Sequence, residues 1–196
     1  MESTPSYRDL SRARTRDALV SAARRLAVSQ GWDNVRMSDV AKAAGVSRQT
    51  VYNEFSGRSG IAEAIALREI EQFTTAVRER LLEHGGDVRA AGHAAVLHTL
   101  REAGRNQLIR SVLTSARDGG DGLLPYLTTR SDLLLTAART VVEEWAEACL
   151  PAADAATVAV AAESIVRLTV SHLVLPTASP EDSADTLAEV FVRLLR

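Results

Sequence analysis

Cysteine is nearly absent. Cys149 is the only one in 196 residues, so no internal disulfide can form and a reducing compartment, the cytoplasm, is expected. Aromatic side chains are scarce, with three Phe, three Tyr and two Trp, so any ligand wall must be built largely from aliphatic groups. Lysine occurs once, at Lys42, and every other basic residue is arginine. No alternating strand pattern, internal repeat or low-complexity tract is present. No uncharged apolar run reaches the roughly 20 residues of a membrane span. The polar N-terminus carries Arg8, Arg12, Arg14 and Arg16 with no apolar stretch behind them, unlike a secretory signal. Nucleophile-elbow, phosphate-loop and zinc-protease motifs are missing, as is any Cys/His cluster with zinc spacing. The expectation is a protein that is not an enzyme and that carries no cofactor and no metal.

What is present is one informative stretch, Met37 to Phe55. Val40, Ala41 and Ala44 place apolar groups on one face of a short helix. Gly45 supplies a residue that accepts the positive φ of a sharp helix exit. Ser47 follows as the N-cap of a second helix. Val46, Val51 and Phe55 turn back to the first helix, leaving Arg48, Gln49, Thr50, Tyr52 and Asn53 outward. That is the layout of a helix-turn-helix whose second helix enters the DNA major groove. The competing arrangement is a helical corner of an all-α protein, which an apolar outer face would suit better. Charge distribution agrees with DNA. Residues 1–60 hold ten basic and six acidic residues, a net +4, whereas the whole chain is −2. A positive head on an acidic body is the footprint of a small DNA-reading unit attached to something else.

The rest also reads as helix. Residues 1–12 read as an arm, followed by a helix from about Arg14 to Gln30 that ends at Gly31, with Trp32 packed over its end. A long helix from near Ser59 to the His84-Gly85-Gly86 break would join head to body rigidly. Body helices are expected at about 88–104, 106–117, 124–149 and 154–175, with a loop at Asp118–Gly122. The last begins at Ser179-Pro180-Glu181-Asp182, where a serine cap, proline and acids mark a helix entry. The helix at 154–175 is apolar on most sides, and the final helix carries a broad stripe including Ala184, Leu187, Phe191 and Leu194. This surplus implies either a partner subunit or one large core enclosing both helices.

Residues 16–61 resemble the N-terminal domain of TetR-family transcriptional regulators. The matching run is Gly31-Trp32, Asp39-Val40-Ala41-Lys42-Ala43-Ala44-Gly45-Val46-Ser47, Thr50-Val51-Tyr52-x-x-Phe55, Arg58 and Ile61. Thr50–Phe55 together with Val166–Leu173 resembles a branch of that family found beside alkane and fatty-acid genes in actinobacteria. The resemblance implies an all-α protein: a three-helix DNA-binding domain at residues 1–58 with its arm, and a ligand-binding and dimerisation domain at residues 59–196. It implies a homodimer formed by the last two helices and a repressor released by a small molecule. An activator and a ligand-independent DNA-binding protein are the alternatives. Three positions depart from the family pattern. Arg36 stands where a capping threonine is usual, so either Ser38 takes the cap or Arg36 grips phosphate. Glu54 replaces an aromatic or histidine, and would either point away or hold an arginine such as Arg58. Arg58 itself replaces a lysine.

The expected DNA contacts are Gln49, Thr50 and Asn53 on base edges, Arg48 on a base or phosphate, and Tyr52 on phosphate. Ser47, Arg36, Arg58, Arg14 and Arg16 are expected on the backbone, within double-stranded DNA carrying a palindromic operator. Dimer contacts are expected from Val166, Val170, Val174, Leu187, Phe191 and Leu194. The effector pocket is expected to be walled by Leu97, Leu100, Leu108, Val112 and Leu134, and by Val141, Trp145, Ile165 and Thr169. Its polar points would be drawn from His98, Asn106, Arg110 and His172; the alternative is a packed core without a cavity. Such a wall favours a flexible aliphatic effector, a fatty acid or acyl thioester, over a flat aromatic one.

Overall fold

The computed structural model describes residues 6–106 and 131–196, and every regular element in them is helical. Calls that fall on residues 107–130, including the helix at 106–117, the loop at Asp118–Gly122, Leu108, Arg110 and Val112, lie outside the described residues.

Helix α1 spans Tyr7–Gln30, about two turns more than the sequence pattern suggests. Its start is set by a capping box: Ser6 Oγ accepts from Asp9 N at 3.2 Å, and Asp9 Oδ2 accepts from Ser6 N at 3.2 Å. The added turns carry no buried residue, so no apolar stripe announced them. A short 3-10 turn at Trp32–Asn34 buries the Trp32 ring and leads to α2 (Met37–Ala44) and α3 (Arg48–Glu54). Gly45 between them has φ +69°, the left-handed exit that a side chain would strain. Leu19, Ala22 and Ala23 of α1, Val40 of α2 and Val51 of α3 are fully buried together, with Phe55 closing the cluster.

Helix α4 (Arg58–Leu82) starts in this head core, where Ile61 and Ile65 are buried, and ends in a second core, where Val77 and Leu81 are buried. One continuous helix of 25 residues, roughly 37 Å at 1.5 Å per residue, therefore belongs to both cores without a hinge.

The body adds α5 (Val88–Arg105), α6 (Ser131–Cys149), α7 (Ala155–Val174) and α8 (Pro180–Leu194). Ser179 caps α8 through Asp182 N at 3.1 Å, with Pro180 in the first turn. The stripe of α8 packs on α5, where Gly92 faces Ala188 and Phe191. A Cβ on Gly92 would lie only 2.9 Å from Phe191 Cδ1, so glycine makes room for the ring. Phe191 also meets Trp145 of α6 at 5.9 Å between ring centroids.

This corrects two expected dimer residues. Leu187 and Phe191 are 2% and 1% exposed inside a single subunit, because α5 consumes the face of α8 that looked surplus. The outward apolar surface lies instead on α7, at Val160 and Val174, and at Leu175 beyond its end. Val166, Val170 and Leu194 are half-buried. Helix α7 is also long and apolar enough, at mean hydropathy 1.4, to cross a membrane by composition alone, although Glu163 and Arg167 interrupt it and leave no uncharged run of that length. It packs here on α5, α6 and α8 through one face, with 28% of that apolar stretch buried.

Candidate nucleic-acid interface

Helix α3 is held from behind and presented in front. Val51 and Phe55 are buried in the head core, while Arg48, Gln49, Tyr52 and Asn53 are exposed. Ser47 caps the helix, its Oγ accepting from Thr50 N at 3.1 Å and lying 2.9 Å from Thr50 Oγ1. The exposed groups pair along the helix at i, i+4. Arg48 stacks 5.5 Å from the Tyr52 ring centroid and donates to its hydroxyl at 3.4 Å. Gln49 Nε2 donates to Asn53 Oδ1 at 3.0 Å, which leaves this amide pair one carbonyl and one NH2 with which to address a base edge. The side chains are thus pre-ordered before any DNA arrives.

The arginines divide into two groups. Arg36 is exposed at the N-cap of α2, which has no side-chain cap, so Ser38 does not take over the missing threonine's role. Arg14 is exposed on α1. Arg58 behaves otherwise. It donates to the Trp32 carbonyl, lies 5.1 Å over the Trp32 ring and 3.5 Å from Asp33, and closes the head rather than facing outward. Arg16 donates to the Glu54 carbonyl at 3.0 Å and sits 4.3 Å over the Phe55 ring. Glu54 does hold an arginine, but it is Arg12 and not Arg58: Arg12 Nε reaches both carboxylate oxygens at 3.0 Å. The sequence reading assigned Arg12 only to an arm; its signal was the Ser6-x-x-Asp9 box, which extends α1 far enough to bring Arg12 to α3.

Two family models match this architecture. Residues 19–65 match "Bacterial regulatory proteins, tetR family", and residues 87–193 match "Bacterial Tetracyclin repressor, C-terminal domain". The chain belongs to the TetR family of transcriptional regulators. It is similar to the HTH-type transcriptional regulator AlkX of Mycobacterium tuberculosis, 32% identical over 189 residues that cover 94% of this chain and 86% of the relative. It is also similar in structure to the TetR family repressor AlkX from Dietzia sp., a protein implicated in biodegradation of n-alkanes. That likeness has a TM-score of 0.72 and 33% identity, covering 91% of this chain and 94% of that one. The resorcinol complex of RolR shares the fold at a TM-score of 0.61 and 19% identity, covering 95% and 89% of the two chains. The protein is thus a DNA-binding regulator and not an enzyme.

In the body of this TetR-family regulator the expected pocket residues scatter into several roles. Leu100, Val141, Ile165 and Thr169 are buried, and Leu97, His98 and Leu134 are half-buried. Trp145 is committed elsewhere: Phe191 covers one side and its indole N–H donates to the Gly85 carbonyl at 3.0 Å. Thr169 Oγ1 donates to its own helix at Ile165 O, 2.7 Å away. His172 Nδ1 lies 3.2 Å from Ser183 Oγ, bridging α7 to α8. Asn106, the cap residue after α5, donates to Glu69 on α4 at 3.1 Å. Glu69 also receives Arg24 of α1, so one carboxylate joins head, connector and body. An open cleft of about 290 Å³ lies between the end of α4, α5 and α8, lined by His84, Asp87, Arg89, Ala90, His93 and Asp185. None of these was an expected pocket residue.

Proposed function

We propose that this regulator is a homodimeric repressor that binds a two-fold-symmetric operator in the cytoplasm and leaves it when a small aliphatic molecule enters the body. The observation that carries this reading is the likeness over nearly the full length, body included, to a repressor implicated in n-alkane biodegradation. Three features support it. The chain is aliphatic, with only eight aromatic residues in 196. The outer face of α7 leaves Val160 at 62% and Val174 at 52% exposure, which a second copy would cover. Continuous α4 and the Arg24–Glu69–Asn106 node give body and head a rigid path along which one can sense the other. On DNA, Gln49, Thr50 and Asn53 read base edges, with Arg48, Tyr52, Ser47, Arg36 and Arg14 on or near the backbone. An effector shifts this equilibrium only if it binds the DNA-free form more tightly.

The test is operator release. Genome-wide mapping of bound sites supplies the operator, and fluorescence anisotropy then follows release against long-chain fatty acids, acyl thioesters and aromatic cations. Release by an aliphatic compound at micromolar concentration is expected. Release by an aromatic cation alone would overturn the aliphatic reading and keep the repressor; release by none of them would count against an effector of this chemistry.

A further inference from the structure

We propose that Glu54 is a specificity-determining residue of DNA recognition that works by cancelling a cation, not by touching a base. An acid at the end of a recognition helix is a cost in any DNA complex, because phosphate repels it. Here the carboxylate is 12% exposed and accepts both of its hydrogen bonds from Arg12 Nε at 3.0 Å, while Arg12 is 67% exposed. The pair lies where α1 crosses the end of α3, with Arg16 fixed to the Glu54 carbonyl beside it. Of the ten basic residues in the first sixty, Arg12, Arg16, Arg24 and Arg58 are engaged within the protein. The other six, Arg8, Arg14, Arg25, Arg36, Lys42 and Arg48, are exposed, with Arg48 packed on Tyr52 of its own helix.

The consequence follows from how nucleic-acid affinity is built. Each phosphate neutralised by a protein cation releases counterions and strengthens binding to every sequence alike. Useful affinity is the ratio between the operator and the vast excess of other sites. A cation already neutralised by a partly buried carboxylate contributes little to either. Glu54 therefore lowers sequence-independent binding and leaves discrimination to Gln49, Thr50 and Asn53. Occupying Arg12 in this way weakens binding to the wrong DNA more than to the operator.

The experiment needs no operator. The full chain is titrated onto a short mixed-sequence duplex across salt concentrations, for wild type, Glu54→Gln, Arg12→Ala/Glu54→Gln and the swapped pair Arg12→Glu/Glu54→Arg. Freeing Arg12 in Glu54→Gln should steepen the log–log salt slope by about 0.9 per bound subunit and tighten binding several-fold. The double variant Arg12→Ala/Glu54→Gln removes cation and anion together and should return to the wild-type slope. The swapped pair should also keep it, and serves as the readout if Glu54→Gln does not fold. An unchanged slope in Glu54→Gln would overturn the proposal. So would a double variant whose slope stays about one unit shallower than wild type, since Arg12 would then be a phosphate contact in its own right. A swapped pair with a steeper slope than wild type would overturn it as well.

Discussion

The head and the body of this protein are held together by different means. The DNA-reading helices of the head are short, α2 with eight residues and α3 with seven, lengths that are marginal in isolation, and they pack on the 24-residue α1. The head fixes them with arginines that reach across elements to a carbonyl, a ring or a half-buried carboxylate, as Arg58 does at Trp32 and Arg16 at Phe55. The body has long helices and a core of large side chains around Trp145 and Phe191. Its arginines pair on the surface, Arg78 with Glu144 at 2.7 Å and Arg101 with Glu181 at 2.6 Å. Half-exposed pairs of that kind contribute little. A DNA reader needs a stiff, polar outer face on a small frame, so its fixings are directional. A body built around an effector depends more on apolar packing, which can be rearranged.

The largest test of this contrast is Phe191→Ala. It opens a cavity between Trp145 and Gly92 and should cost about 3–5 kcal/mol in urea unfolding. Arg101→Ala, which breaks a surface pair in the same body, should cost less than about 1 kcal/mol. Comparable losses from the two would erase the distinction. Val174→Asp comes next, placing a charge on the outer face of α7 without touching the subunit core. The melting profile of the subunit should persist while sedimentation shows dissociation, with association weakened by at least about 2 kcal/mol. A dimer that survives this change does not use that face.

These two residues also show where the sequence could be read and where it could not. The stretch from Asp39 to Val51 was legible because each local requirement has its own residue: Gly45 for the left-handed exit, Ser47 for the cap, Val40 and Val51 for the contact between helices. The described helices of the body were legible as apolar stripes. Which stripe faces which neighbour was not, because that depends on the other side of the contact. Gly92 lets α8 close on α5 and leaves room for Phe191 to turn inward. The first turns of α1 escaped notice for a related reason. They bury nothing, and a partner 42 residues away, Glu54, meets Arg12 there. Among the expected pocket residues, Asn106 and His172 are polar groups that satisfy other helices, a pairing that no local pattern encodes.

Smaller effects separate the two regions by function. Gln49→Ala should relax preference at one operator position by roughly 1–3 kcal/mol and leave the salt slope unchanged. A uniform loss on all sequences would move Gln49 from base edge to scaffold. Asn106→Ala lies on the body, yet through Glu69 it should change operator affinity by about 0.5–2 kcal/mol. An unchanged affinity at unchanged stability would show that this carboxylate does not carry signals between the regions.

The smallest expected effect concerns helix caps and acid. The head caps α1 and α3 with serine hydroxyls, Ser6 and Ser47, which do not titrate. The body caps α7 with a carboxylate. Asp154 accepts from Thr157 N at 2.8 Å and from Thr157 Oγ1 at 3.0 Å, and these hydrogen bonds hold its pKa below the ordinary aspartate value. Glu181 on α8 is likewise lowered, chiefly by its bond to Arg101. A depressed carboxylate stabilises the fold fully above its unfolded pKa, and that contribution is lost as pH falls through the lower folded value. Asp154→Asn keeps an N-cap of similar quality without an ionisable group. It should match wild type in melting temperature at neutral pH and fall less steeply than wild type below the ordinary aspartate range. Because Asp154 is exposed, the difference should be slight and confined to acid. Parallel acid limbs in the two proteins would show that the charge on the cap adds nothing to α7, and the contrast between the serine caps of α1 and α3 and the aspartate cap of α7 would then carry no consequence for pH.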